Sequence, residues 1–230
     1  MNRWRAVVMV VVSLALCACA GVPQRPIELA RSNIAASGSH IGVAMTAVPK
    51  VDTSFPGAGC LLCIAAASVM NSSLTSYAHT ISPDDVPKVK GEIADALRQA
   101  GADVVLIDVP LDLDKLPKFS SKTPDATKKD FSSLRDRYKI DRLVVIDITQ
   151  LGFERTFANY VPTSAPKALV AGSGYMVNLA TNLLEWYVPL HVLKSADGSW
   201  DEPPKYPGLT NAFYQAWETV HDLLTKPFAG

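Results

Sequence analysis

Four cysteines, two aspartates at the ends of apolar runs and four histidines are the side chains here whose types and spacing could do chemistry. Cys60 and Cys63 stand three apart at the head of a stretch, residues 60–77, that begins apolar on every side and turns polar after Met70. The spacing suits a disulfide. Were the pair reduced at a helix start, the amides there would stabilise a thiolate, the chemistry of a thiol oxidoreductase. Leu61 and Leu62 between them argue instead for burial, as a structural disulfide or two buried thiols. Zinc would need two further ligands, and His40, His79, His191 and His221 show no metal spacing. Asp108 and Asp147 close two similar apolar runs, which puts both at the carboxyl edge of a sheet, where α/β folds place ligands. As neighbours they could hold a metal or drive one pKa upward, the basis of a hydrolase; as separate residues they would cap turns. His191 and His221 have no partner nucleophile in sequence. Ser173 lacks the Gly-x-Ser-x-Gly frame, and Gly57 and Gly59 do not complete a dinucleotide fingerprint, so no cofactor is expected.

The remaining cysteines, Cys17 and Cys19, lie where a start carrying Arg3 and Arg5 and an apolar run over residues 6–16 give way to polar residues and Pro23. That is the three-part layout of a secretory signal, and the run is shorter than the roughly 20 residues that cross a bilayer. Leu16-Cys17-Ala18-Cys19 resembles the lipobox of bacterial lipoproteins. The resemblance implies a diacylglyceryl thioether on Cys19, cleavage after residue 18, and an acylated new amino terminus of the palmitate kind. Lipidation of Cys17 would put Leu16 at the cut, where a small residue is wanted. An unlipidated signal cut after Ala18 or Ala20 is the other reading. Ala20 rather than Asp after the cysteine implies, by the same resemblance, the outer membrane with the protein facing the periplasm.

Charge and composition narrow the class. The chain has 22 basic and 22 acidic residues, and losing Arg3 and Arg5 leaves it near neutral, so neither a nucleic-acid stripe nor a polybasic patch is expected. A hydrophobic content of 48% excludes wholesale disorder. In an exported chain Cys60 and Cys63 can persist as a disulfide.

The elements that must position these residues read as one α/β domain over residues 40–230 behind a flexible tether, residues 19–39, rich in Pro and polar residues. Residues 40–48 form a first strand and residues 54–59 a turn. Residues 60–77, a helix with no polar face at its start, would be buried in a core or against another chain. Residues 82–100 carry a helical stripe of Val86, Val89, Ile93, Ala96, Leu97 and Ala100, ended by Gly101. Residues 104–109 and 143–149 are apolar, β-branched runs of strands covered on both faces, the second preceded by a helix over residues 125–138. Two strand-helix-strand units imply parallel neighbours in one sheet. Residues 174–192 form a hairpin turning at Thr181-Asn182, with Pro189 marking an edge or bulge, and residues 209–224 a closing helix.

Val177-Asn178-Leu179-Ala180-Thr181-Asn182-Leu183-Leu184-Glu185-Trp186 resembles the hairpin Val-Asp-Leu-x-Thr-Gly-x-x-Leu-Trp of a group of periplasmic lipoproteins and relatives that includes the TolB N-terminal domain, CsgG and LpoB. That resemblance implies an α/β domain with a mixed sheet, of two or three layers, and carries no functional residue across. The expected role is a non-catalytic binding or assembly factor held to the membrane by Cys19, with an envelope protein as partner. Trp200, among Asp, Glu and Pro, together with Tyr206 is the expected partner surface. A ring-forming secretion component, a homo-oligomer, is a further possibility raised by the apolar residues 60–70.

Overall fold

A computed structural model of the chain describes residues 23–34 and 39–229; the expected signal and the expected lipidation site Cys19 lie outside them. Its centre is the apolar run that begins at Leu143. As an extended strand it sends Val144, Ile146 and Ile148 to one face and Leu143 and Val145 to the other, all at most 2% exposed. This strand, β4 (Arg142–Glu154), has β1 (His40–Met45) parallel beside it, and β3 (Asp103–Leu106) lies parallel outside β1. On its other side the hairpin of β7 (Lys167–Asn178) and β8 (Leu183–Ser195) runs antiparallel. β2 (Val51–Ser54) joins the same edge of β4 as β1, farther along, with Val51 opposite Leu151. The order is therefore β3-β1-β4-β7-β8, a mixed sheet with β8 at one edge.

Two helices with the expected stripes close the larger face. α3 (Lys88–Gln99) buries Val89, Ile93 and Leu97, and α5 (Pro207–Thr225) buries Leu209, Phe213, Ala216, Val220 and Leu224. Both pack on Val43, Val144, Ile146 and Met176 in one core. The opposite face is covered by the short α4 (Ser132–Tyr138) and the loop before it, around Phe131, Leu134, Ile140 and Tyr175. Gly101 ends α3 at φ 91°, and Asn182 turns the hairpin at φ 55°, a left-handed backbone that Asn tolerates. Buried Asn182 also ties this layer together: its side chain accepts from the Phe131 amide at 2.8 Å and donates to Asp130 at 2.8 Å.

Several expectations need correction. The helix expected over residues 125–138 begins only at Ser132, because Asp125 has a left-handed backbone and Thr127 bonds the Asn182 carbonyl instead of opening a turn. β2 was not anticipated, since only Val51 of its four residues is buried, and its last residue, Ser54, opened the expected turn. The expected tether over residues 19–39 is not wholly free. Ile27 exchanges two backbone hydrogen bonds with Tyr187 on the edge of β8, at 2.9 and 3.0 Å, and Ile34 enters the main core at 4% exposure. An edge strand offers unpaired amides and carbonyls, and this segment satisfies some of them.

Candidate functional site

Beyond β2 the chain makes a turn at Pro56-Gly57 and enters α1 (Leu61–Met70), followed by α2 (Ser72–Ala78) at a bend of 74°. Gly57 is required there: at φ 86°, a Cβ would sit 1.9 Å from the Phe157 carbonyl oxygen. Phe157 belongs to the small hairpin of β5 (Phe157–Ala158) and β6 (Val161–Pro162), which thereby rests on the start of α1. The bend is set by Asn71, buried at 3% exposure. Its amide nitrogen donates back to the Ala67 carbonyl at 2.8 Å and its oxygen accepts from Arg155 at 3.0 Å. These bonds compete with a straight continuation of the helix.

Cys60 and Cys63 are joined as a disulfide. Cys60 is exposed at the N-cap, where its sulfur accepts the Cys63 amide at 3.0 Å, while Cys63 is 1% exposed. The Tyr160 hydroxyl lies 3.6 Å from Cys60 Sγ and is the donor, because a disulfide sulfur has no hydrogen. Of the two expectations for residues 60–70, burial in the chain's own core fails for most of them, and cover by another chain stays open. Only Cys63 and Ala67 point inward, against Ala58 and Phe157. Leu61 is 87% exposed, Leu62 73% and Val69 75%, and Ile64, Met70, Tyr160 and Val161 are also exposed. Such a contiguous apolar surface marks a contact site far more often than chance.

The two aspartates do not converge. Asp108 is exposed and faces Lys90 of α3 at 3.5 Å. Asp147 lies on the other face of the sheet, half-buried, accepting from the Thr46 hydroxyl at 2.9 Å. Loss of water raises the Asp147 carboxyl above its ordinary value, and the Thr46 hydrogen bond opposes that only in part. Buried Tyr175 is raised likewise, by desolvation first and then by the Asp147 charge. Asp147 lines an open hollow of about 500 Å³ with Pro23, Lys128, Ser173, Tyr175 and Tyr187. The β-bulge after Ile148 shapes it, and Gly172 is needed there because a Cβ would lie 2.0 Å from the Asp147 carbonyl oxygen. Thr46 and Tyr175, which come from strands distant in sequence, were not singled out from sequence.

Three histidines are engaged as exposed or half-exposed partners of carboxylates: His40 with Asp103, His79 with Asp52 and His221 with Glu92. No cluster of three or more His, Cys, Asp or Glu suited to a metal ion occurs among the described residues. The expected partner surface at Trp200 and Tyr206 is also corrected. Tyr206 is 3% exposed, packed on Tyr77 with its hydroxyl donating to Ser73 at 2.9 Å. Trp200 is partly buried, with the Arg155 guanidinium 4.9 Å over its ring.

No family model matches this sequence, and no curated protein is similar to it. Among solved structures, the chain is similar to a PelC dodecamer from Paraburkholderia phytofirmans at 10% identity and TM-score 0.37, covering 90% of this chain and 96% of that one. It is also similar to lipoprotein GNA1162 from Neisseria meningitidis at 11% identity and TM-score 0.28, covering 79% of this chain and 99% of that one. A third is hypothetical protein CT253 from Chlamydia trachomatis, at 12% identity and TM-score 0.29, covering 82% of this chain and 99% of that one.

Proposed function

We propose that the protein is an envelope lipoprotein, held by an acylated Cys19 to the periplasmic side of the outer membrane, that works as a non-catalytic binding or assembly factor close to the bilayer. The observation that carries this reading is Leu16-Cys17-Ala18-Cys19, which resembles a lipobox and stands close before the start of the folded part. Pro23 already lines the hollow beside Asp147, and Ile27 is already paired with β8, while Cys19 stands four positions before Pro23. Four residues reach at most about 14 Å. A lipid on Cys19 therefore holds the domain against the headgroups. Metabolic labelling with a fatty acid, followed by separation of inner and outer membranes, tests this. Label in the outer-membrane fraction that disappears in Cys19→Ser supports the reading; an unlabelled, soluble periplasmic protein overturns it.

A second reading is favoured by the exposure of Cys60 beside a buried Cys63. In it the disulfide oxidises a dithiol partner: a partner thiolate attacks Cys60, Cys63 leaves as a thiolate, and the partner's second thiolate resolves the mixed disulfide. The partner becomes a disulfide, the protein a dithiol, and the two partner protons pass to solvent or to Cys60 and Cys63. Oxidation of a dithiol peptide by the disulfide form, lost in Cys60→Ser, supports it; no reaction beyond that of small disulfides overturns it.

A further inference from the structure

We propose that α1 and the β5–β6 hairpin form a membrane-resting face, with Leu61, Leu62, Ile64, Val69 and Val161 entering the interfacial layer of the bilayer that holds Cys19. The inference deepens the lipoprotein reading and rests on it.

Two observations lead to a lipid surface as the occupant. The first is chemical: no Asp, Glu, Lys or Arg occurs from Thr53 to Pro83, the longest such run in the chain. A helix facing water would carry charges on its outer side, and a protein interface is usually rimmed by them. α1 instead turns inward only Cys63 and Ala67, small side chains, and presents its large apolar ones outward. The second is dimensional. Ten residues make a helix about 15 Å long, half of what a bilayer crossing needs, so α1 can lie in the interface but not span it. Tyr160, with an apolar ring and a hydroxyl at the rim, is the kind of side chain that sits at headgroup depth.

The Phe157 amide donates to the Pro56 carbonyl at 2.8 Å, the Asn159 amide to the Gly57 carbonyl at 3.1 Å and the Tyr160 hydroxyl to Cys60 Sγ at 3.6 Å, and these bonds tie the start of α1 to the hairpin.

The test uses the full lipidated protein carrying Leu62→Trp, reconstituted in vesicles of phosphatidylethanolamine and phosphatidylglycerol with or without bromine on the acyl chains. Gln99→Trp, exposed at the end of α3 on the other face of the sheet from the hollow, is the control. Brominated chains should quench the emission added at position 62 at least two-fold and leave that added at position 99 within about a tenth of its value. Equal emission at position 62 in both vesicles, with the protein still vesicle-bound, overturns this face and leaves the anchor standing. A size that grows with protein concentration in that case would show a second copy covering α1. Release of the protein from the vesicles overturns both the face and the anchor.

Discussion

Replacing Ile34 with Ala separates a docked amino-terminal segment from a free tether. The side chain is 4% exposed in the main core, where Leu29 packs as well, and residues 27–34 reach it by crossing the edge of β8 at Tyr187. Truncating a buried Ile to Ala removes about three methyl or methylene groups and leaves a cavity, a cost of about 2–4 kcal/mol. Ile34 lies at the margin of the core, so the lower part of that range applies, about 2–3 kcal/mol. With a urea slope of about 2.5 kcal/mol/M, the unfolding midpoint should fall by about 1 M. The fluorescence of buried Trp186, packed edge-on against Phe228 at 4.9 Å, reports the transition. A shift equivalent to less than about 0.5 kcal/mol, the usual size for an exposed site, would refute the docking and with it the short distance between Cys19 and the domain.

Three further outcomes follow from the same structure. Leu61→Ser with Leu62→Ser should leave the urea midpoint within about 0.5 kcal/mol of the parent, yet weaken vesicle binding of the unlipidated Cys19→Ser chain about 30-fold, as expected if the bilayer buries roughly half of each leucine; unchanged binding in a sedimentation assay argues against the membrane face. Cys60→Ser with Cys63→Ser opens a very short loop, so the loss is about 2 kcal/mol and falls on α1; hydrogen exchange should quicken in residues 61–70 while α3 and α5 keep their protection, and uniform quickening would contradict this. Asp147 holds its proton to higher pH in the native state than in the unfolded chain. Its contribution to stability is therefore most favourable at low pH and declines as pH climbs from the ordinary value of 3.8 through the raised one. Asp147→Asn should flatten that part of the stability profile, and an identical profile in the variant would remove the buried-carboxylate argument.

What was legible in the sequence is what local periodicity encodes. Val89, Ile93 and Leu97 repeat at helical spacing and do face the sheet, and Phe213, Ala216, Val220 and Leu224 do the same in α5. Leu143 to Ile148 announced a strand covered on both faces, and the Asn182 turn announced the hairpin. Features decided by distant partners were hidden. Tyr206 sits among Pro, Lys and Glu and reads as exposed, yet its ring is claimed by Tyr77 and its hydroxyl by Ser73, more than a hundred residues away. Ile27 looks like any residue in a polar segment until the open edge of β8 supplies hydrogen bonds to its backbone. For residues 60–70 the sequence shows a helix without a polar face, and periodicity gives no way to tell which side is inward. The small side chains of Cys63 and Ala67 are the ones turned inward, against Ala58 and Phe157. Asp108 and Asp147 close similar runs, but β1 stands between their strands and the two carboxylates end on opposite faces.

The intact mass of the protein extracted from its native membrane tests the central claim most directly. The account predicts a chain beginning at Cys19, heavier than residues 19–230 by a diacylglyceryl group and one further acyl chain. A chain beginning at Cys19 or Gly21 with no added mass would contradict it.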